Sequence, residues 1–284
     1  MSITKTGWIG LGKMGIPMSQ QLIKAGYAVT VYNRSTDKEE TLKAMGAATA
    51  SSPQKLIQDT DAVVIMVSDD AAITSIFSGE NGLLSAKVSG KIIINMSTVS
   101  PAISKQMADL CEQQGNYYLD APVSGSVKQA EEGTLVIMVG GDEKAFEQAK
   151  PVLEKIGKLT ILVGDTGAGN KAKLVINTLL GVYSQGLAEA VLFAEKNGIK
   201  TEDLITLLNN GAMGSPYIKI KGDAIIKDNY TAAFALKHIA KDLRLAKDIG
   251  LSTPLGKVTY QTFQDAEAKL GNEDIIAVIK QVRG

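Results

Sequence analysis

The sequence predicts an α/β protein, with a Rossmann-type doubly wound sheet first and an all-α C-terminal domain after it. Three observations lead there. A glycine-rich turn stands between a short apolar strand and a helix near the N-terminus. Apolar runs of strand length then alternate with helical stretches as far as residue 164. Beyond that point strand-like runs stop and helical periodicity fills the chain. The expected domains are therefore 1–163 and 164–284.

The opening stretch TKTGWIGLGKMGIPMSQQLIKAGYAVTVYNRS reads as strand, turn, helix, strand. Gly10, Gly12 and Gly15 form G-x-G-x-x-G directly after a strand ending at Ile9. Helical spacing runs on through Met18, Leu22 and Ile23, and Gly26 closes it. In that context the glycines permit a tight turn and bring a pyrophosphate against a helix N-terminus. Gly10, Leu11, Gly12, Met14 and Gly15 are the expected cofactor contacts. An acidic residue at the end of the second strand would hold the ribose hydroxyls of NAD and repel a 2′-phosphate. This chain has Asn33-Arg34-Ser35 there, with a guanidinium to clamp phosphate and a hydroxyl to add a donor. NADP(H) is the expected cofactor.

Alternation continues through DAVVIMVSD (61–69), KIIINMST (91–98), GNYYLDAPVS (115–124), GTLVIMVGG (133–141) and LTILVG (159–164). Helical stretches such as Ser100 to Gln114 and Glu143 to Ile156 lie between them. Strands this continuously apolar belong to a parallel sheet, with antiparallel additions at its edge. Residues just past the strand ends, Met66 and Val67 on to Asp69, and Asn95 to Thr98, are placed to line the crevice where such sheets bind ligands.

The second part carries helical patterns at 170–196, 202–210, 216–227, 234–248, 255–271 and 274–281. The first contains LVINTLLGVYSQGLAEAVLFA, almost wholly apolar or small, and reads as a long buried helix. Lys173 sits near its start, and Asn177, four residues on, shares its face. A lysine there can simply snorkel to solvent from the first turn. A helix about 40 Å long at ~1.5 Å per residue, apolar all round, needs more cover than the C-terminal part supplies. A homodimer or homotetramer is expected to bury it.

Thirty basic and thirty acidic residues cancel, leaving no field to draw nucleic acid or a membrane surface. No N-terminal apolar run suggests a signal or anchor. With Cys111 as the lone cysteine, a cytoplasmic protein is expected. His238 is the lone histidine, which leaves no His-rich or Cys–His metal site. Proton chemistry falls to lysine, carboxylate or tyrosine.

GLGKMG, DAPVSGS from Asp120, GAGNKAKLVIN from Gly167 and KDLRLA from Lys241 occur in that order. With these four motifs the chain resembles the β-hydroxyacid dehydrogenase family over essentially its full length. APVSGS, GAMGSP and FALKHIAKDLRLA look most like its glyoxylate/succinic semialdehyde reductases, also described as γ-hydroxybutyrate dehydrogenases. The resemblance implies NADPH-dependent reduction of a small carboxylate-bearing aldehyde, with Lys173 as general acid, Asn177 as its partner and no metal. It also implies a substrate loop at Ser124-Gly125-Ser126, an aromatic pocket wall at Phe234, and Thr98 beside the nicotinamide. Lys241 would approach the cofactor, with Asp242 its neighbour. Two positions depart from the family pattern: Ile176 precedes Asn177 where two asparagines are frequent, and Ser126 replaces a glycine. Other substrates of the family stay open: 3-hydroxyisobutyrate, tartronate semialdehyde, sulfolactaldehyde or a cyclic imine. Lys173 counts against the imine. It also counts against a non-catalytic interaction module of the kind found in chromatin proteins, as does the lack of room upstream of Thr4.

Overall fold

The computed structural model describes residues 3–284, so Met1 and Ser2, with which the expected first domain opens, lie outside the described residues. Two compact units divide the chain, the first ending at Lys173 and the second running Leu174–Gly284. In the first, β1 (Lys5–Ile9), α1 (Gly15–Lys24) and β2 (Ala28–Tyr32) make the opening βαβ unit. Then come α2 (Glu40–Lys43), β3 (Ala48–Thr49), α3 (Pro53–Gln58), β4 (Ala62–Ile65), α4 (Asp70–Phe77) and β5 (Ile92–Asn95). The series continues with α5 (Pro101–Glu112), β6 (Tyr117–Asp120), β7 (Val123–Ser124), α6 (Val127–Glu131), β8 (Leu135–Gly141), α7 (Glu143–Leu153) and β9 (Gly157–Gly164).

Among the described residues these strands form one nine-stranded sheet. Its order β3-β2-β1-β4-β5-β6 is parallel throughout and reverses direction of progress at β1 and β4, the switch point where such sheets bind ligands. β8 pairs antiparallel with β6 and β7, and parallel with β9. Successive strand residues point to opposite faces. Val64, Ile94 and Leu119 pack under α1 and α7 with Met18, Leu22 and Phe146. Val63, Ile65 and Ile93 pack under α3, α4 and α5 with Leu56, Phe77 and Met107. Both faces are covered, hence the continuously apolar strands.

α8 (Ala168–Lys196) leads from the last strand into the second unit, which continues with α9 (Thr201–Asn210), α10 (Pro216–Ile226), α11 (Leu236–Asp248), α12 (Pro254–Leu270) and α13 (Val278–Arg283). Leu187, Val191, Leu236, Leu243, Phe263 and Ile276 are among its core residues. Gly181 lets α8 lie close against α11 and α12, since a Cβ there would stand 3.1 Å from Thr259 and 3.6 Å from Leu243.

Two expectations need adjusting. GNYYLDAPVS is two strands, because Pro122 interrupts the ladder and its two halves meet different stretches of β8. The division between units falls inside α8 after Lys173, where the expected boundary was 163, because the helix's first turn is bonded into the sheet. As expected, α8 is not enclosed by its own chain: Val175, Leu179 and Phe193 stand 68%, 67% and 71% exposed along one stripe.

The seat of α8 on the sheet leaves no room for a side chain. A Cβ on Gly169 would fall 2.5 Å from the carbonyl oxygens of both Asp120 and Met138, backbone that cannot step aside. Gly169→Ala is expected to lower stability by about 1–3 kcal/mol or more, measured by urea unfolding. Gly12→Ala, which adds a Cβ in open space, should leave the urea midpoint nearly unchanged, and equal losses in both would refute this reading of the seat.

Candidate active site

The glycine turn is built around a buried tryptophan. Trp8, fully enclosed in β1, donates its indole N–H to the Gly10 carbonyl at 3.1 Å. Gly10 has φ +98°, and a Cβ on it would lie 2.2 Å from the Met66 carbonyl and 3.0 Å from Val67. A Cβ on Gly15 would lie 2.0 Å from the Gly10 carbonyl. These two glycines answer to the chain's own packing. Gly12 does not, because a Cβ there meets nothing within 4 Å. Just past it, Met14 stands at the N-cap of α1 and gives it no side-chain cap. Open backbone before an uncapped helix start fits the pyrophosphate of a dinucleotide.

At the end of β2, Asn33 accepts the Leu11 N–H at 3.0 Å and donates its Nδ2 to the Ser35 carbonyl at 2.8 Å. Its side chain braces the turn. Arg34, Ser35, Thr36, Asp37 and Lys38 are all exposed polar groups of this segment. Glu39, only 4% exposed, accepts the Asn33 N–H at 3.2 Å. A carboxylate thus reaches the end of β2 from further along the chain, although no acid stands there in sequence.

The loops after β4 and β5 are cross-linked. The Val67 N–H bonds Ser97 Oγ at 2.9 Å, the Ser97 N–H bonds Asn95 Oδ1 at 3.0 Å, and the Ser100 N–H bonds Asp70 Oδ1 at 2.9 Å. Thr98 sits half-buried in this corner. Gly10, Leu11, Met66, Val67 and Thr98 therefore belong to one cluster of strand ends. Ser124-Gly125-Ser126 belongs elsewhere, on β7 and the start of α6, where the chain pairs with β8 and not with β1 or β4. There the Ser126 N–H and Oγ–H both donate to Gln129 Oε1, at 2.8 and 2.5 Å. Two donors already converge on one oxygen, as they would on a carboxylate.

Asp120 closes β6 and is wholly buried. It accepts the Gly167 N–H at 2.6 Å and the Asn170 N–H at 2.7 Å, capping the start of α8 from the sheet. The Asn170 side chain, also wholly buried, accepts the Val99 N–H at 3.0 Å and donates to Ser104 Oγ at 3.2 Å. Burial pushes the Asp120 carboxyl up to about 6 from its usual 3.8, against the N–H bonds from Asn170 and Gly167 that favour its charge. Lys173 follows one turn later, half-buried, and both Asn170 and Asn177 share its face of the helix.

In the second unit Asn177, 1% exposed, donates its Nδ2 to Asp242 Oδ2 at 2.5 Å. Lys241 Nζ stands 3.2 Å from the other oxygen of Asp242. The expected residues Asn177, Lys241 and Asp242 are thus one group. Phe234 stacks on His238 with ring centroids 6.0 Å apart. Its backbone N–H reaches Asp274 Oδ2 at 3.3 Å, and Asp274 forms a buried ion pair with Lys221 at 2.6 Å.

Sequence reasoning missed Glu39, Gln129, Asn170 and Asp274. The Ser126-x-x-Gln129 spacing of a capping box was readable. The other three owe their roles to contacts the sequence does not display.

Residues 5–164 match the NAD binding domain of 6-phosphogluconate dehydrogenase, and residues 167–282 match the NAD-binding domain of NADP-dependent 3-hydroxyisobutyrate dehydrogenase. Glyoxylate/succinic semialdehyde reductase 1 of Arabidopsis thaliana is 36% identical over 98% of this chain and 98% of its own. 2-(Hydroxymethyl)glutarate dehydrogenase of Eubacterium barkeri is 37% identical over 97% and 94%. The solved Mycobacterium tuberculosis 3-hydroxyisobutyrate dehydrogenase with L-serine superposes over 100% of both chains with a TM-score of 0.89 at 30% identity.

Because the folded Asp120 carboxyl titrates above its unfolded value, the native chain holds a proton that unfolding releases between pH 3.8 and about 6. The cost of its buried charge is fully present above that window and is relieved as pH falls through it. Relative to Asp120→Asn, the parent should therefore gain on the order of 2 kcal/mol of stability between pH 7 and pH 4. Urea titrations across that range test this, and a pH-independent difference would contradict it.

Proposed function

The chain belongs to the β-hydroxyacid dehydrogenase family of NAD(P)-dependent oxidoreductases, and on that premise we propose that it reduces a small aldehyde acid, glyoxylate or succinic semialdehyde, with NADPH. The observation that carries this reading is the setting of Lys173. One helical face presents it with Asn170 and Asn177, the Asn177 carboxamide held by buried Asp242, the Asn170 carboxamide by the Val99 N–H and the Asn170 backbone by buried Asp120. A lysine set so deliberately suits chemistry better than solubility.

The bound cofactor supplies a hydrogen with its electron pair to the carbonyl carbon. Lys173, as an ammonium, stabilises the charge that grows on the carbonyl oxygen and gives it the proton that completes the hydroxy acid. Asn177, its Nδ2 committed to Asp242, keeps its carbonyl oxygen to hold the ammonium. Ser124-Gly125-Ser126 receives the substrate carboxylate, whose oxygen takes over the Ser126 donors from Gln129. Arg34, Ser35 and Lys38 receive the 2′-phosphate. Gly10, Leu11, Gly12, Met14 and Gly15 hold the pyrophosphate, and Asn33 braces them. Met66, Val67 and Thr98 complete the cofactor site of the first unit, and in the second unit Lys241 and Phe234 keep the roles the resemblance implies, towards cofactor and substrate.

A second copy of the chain is proposed to cover the exposed stripe of Val175, Leu179 and Phe193 on α8. The same machinery would serve 3-hydroxyisobutyrate, tartronate semialdehyde or sulfolactaldehyde. An anionic group, carboxylate or sulfonate, at a distance from the reacting carbon that differs among them, is common to all.

Lys173→Met should lower kcat by roughly 10²–10⁴-fold with NADPH affinity by calorimetry retained, while Lys171→Met stays active. The reverse pattern would remove Lys173 from the chemistry.

The parent should prefer NADPH over NADH by at least roughly tenfold in kcat/KM, one charge-assisted contact being worth about 1.5–3 kcal/mol. Arg34→Ala should erase most of that preference. Equal use of both cofactors by the parent is the contrary result.

Succinic semialdehyde should be reduced at least ~10-fold better than butyraldehyde in kcat/KM, and Ser124→Ala should narrow the gap through KM. Equal activity on the two aldehydes would remove the carboxylate site.

A further inference from the structure

The reaction proposed above needs two things held at a fixed separation: the corner of strand ends that includes Thr98, and the lysine one turn into α8. A single side chain joins them. Asn170 accepts the N–H of Val99, the residue after Thr98, at 3.0 Å, and it lies three residues before Lys173 on the same helical face. Its other end is fixed as firmly. The Nδ2 group donates to Ser104 Oγ at 3.2 Å and leans on Asp120 Oδ2 at 3.4 Å, while its backbone N–H bonds that same oxygen at 2.7 Å.

The joint is closed to solvent. Asn170, Asp120 and Ser104 are all fully buried. Ser104 in turn bonds Tyr118, whose hydroxyl accepts from Asn95 Nδ2 at 2.9 Å, so the chain of polar groups runs back to the end of β5. Buried networks with every member satisfied fix one geometry and resist small displacements. Support for a helix start would need only the Asp120 cap. The extra bond from the Asn170 side chain to Val99 reaches a different segment, and that segment is the one the chemistry uses.

We propose that Asn170 is a positioning residue for the reduction, tying the Thr98–Val99 segment to the first turn of α8 and so setting where Lys173 stands. The inference rests on the proposed role of Lys173. Asp120 serves it indirectly, by locking the carboxamide that spans the two segments.

Two variants test this in the full-length enzyme with NADPH and succinic semialdehyde. Asn170→Ala should lower kcat by about 10–100-fold, with KM and the calorimetric NADPH affinity each within about threefold of the parent, the loss of orientation alone being able to cost that much. Amide hydrogen exchange without cofactor should accelerate at Val99 and residues 167–171 but not in β5. Asn170→Asp sets a second carboxylate against Asp120, and such a pair shares one proton only at lower pH. Its kcat should lie at least about 30-fold below the parent at pH 8 and recover to within about threefold at pH 5.5, with KM steady. Parallel pH profiles for parent and Asn170→Asp would overturn the proposal. So would a kcat loss in Asn170→Ala matched by equal losses in KM and NADPH affinity, the mark of general loosening. If Lys173→Met is fully active, the proton-donor reading fails by itself, whatever the Asn170 variants do.

Discussion

A carboxylate at the end of one strand decides how the longest helix begins. Asp120 takes two backbone N–H groups from the start of α8, and the surrounding glycines let the helix come down onto the sheet with no side chain between. A Cβ on Gly140 would lie 2.6 Å from the Asp120 carboxylate and 2.8 Å from the Gly169 nitrogen. Electrostatics and sterics therefore agree, since negative charge favours a helix N-terminus and only bare backbone permits the approach. Lys173, one turn on, inherits its rotation from this contact. A helix start turned by one residue would carry Asn170 and Lys173 together about 100° around the helix axis, away from the Val99 N–H that Asn170 now meets.

The second unit repeats the device with different parts. Asn177 and Asp242 form a carboxamide–carboxylate pair on packed helices, whereas between helix and strand Asp120 takes the Asn170 backbone N–H at 2.7 Å and its carboxamide at 3.4 Å. Asp274 does for the Phe234 segment what Asp120 does for α8, accepting backbone N–H groups from inside the fold, here with Lys221 neutralising it. Buried acids that organise backbone are frequent in this chain. They explain how a protein with balanced charge can hold so many polar groups away from water.

The outline of the fold was legible because its signals are local. A glycine turn between strand and helix, apolar runs of strand length, and their end near residue 164 all read directly from the chain. The strand run 115–124 misled because its apolar pattern continues across Pro122 while its hydrogen-bond partners change, and pairing partners are not a local property. In the site, Lys173 and Asn177 stood out as polar residues in apolar text. Asn170 sat in plain sight within GAGNKAKLVIN, yet its significance comes from Val99, Ser104 and Asp120, far away in sequence. Glu39 was invisible for the same reason. Its carboxylate reaches the end of β2 through a turn, so the rule that looks for an acid at one position passes over it. Asn33 was legible as a site residue, but its task as a brace for Leu11 depends on the turn's geometry.

Trp8 carries a consequence of another kind. It is the chain's single tryptophan, and its indole N–H is bonded to the carbonyl of the first motif glycine. The indole emission of the protein, excited where its eight tyrosines do not absorb, therefore comes from one chromophore in contact with one turn. Any event that shifts the Gly10 peptide, whether dinucleotide entry or local unfolding of the first βαβ unit, alters the polarity and hydrogen bonding of that indole. The molecule contains its own optical gauge of the glycine turn, with no label needed and no second tryptophan to blur the reading.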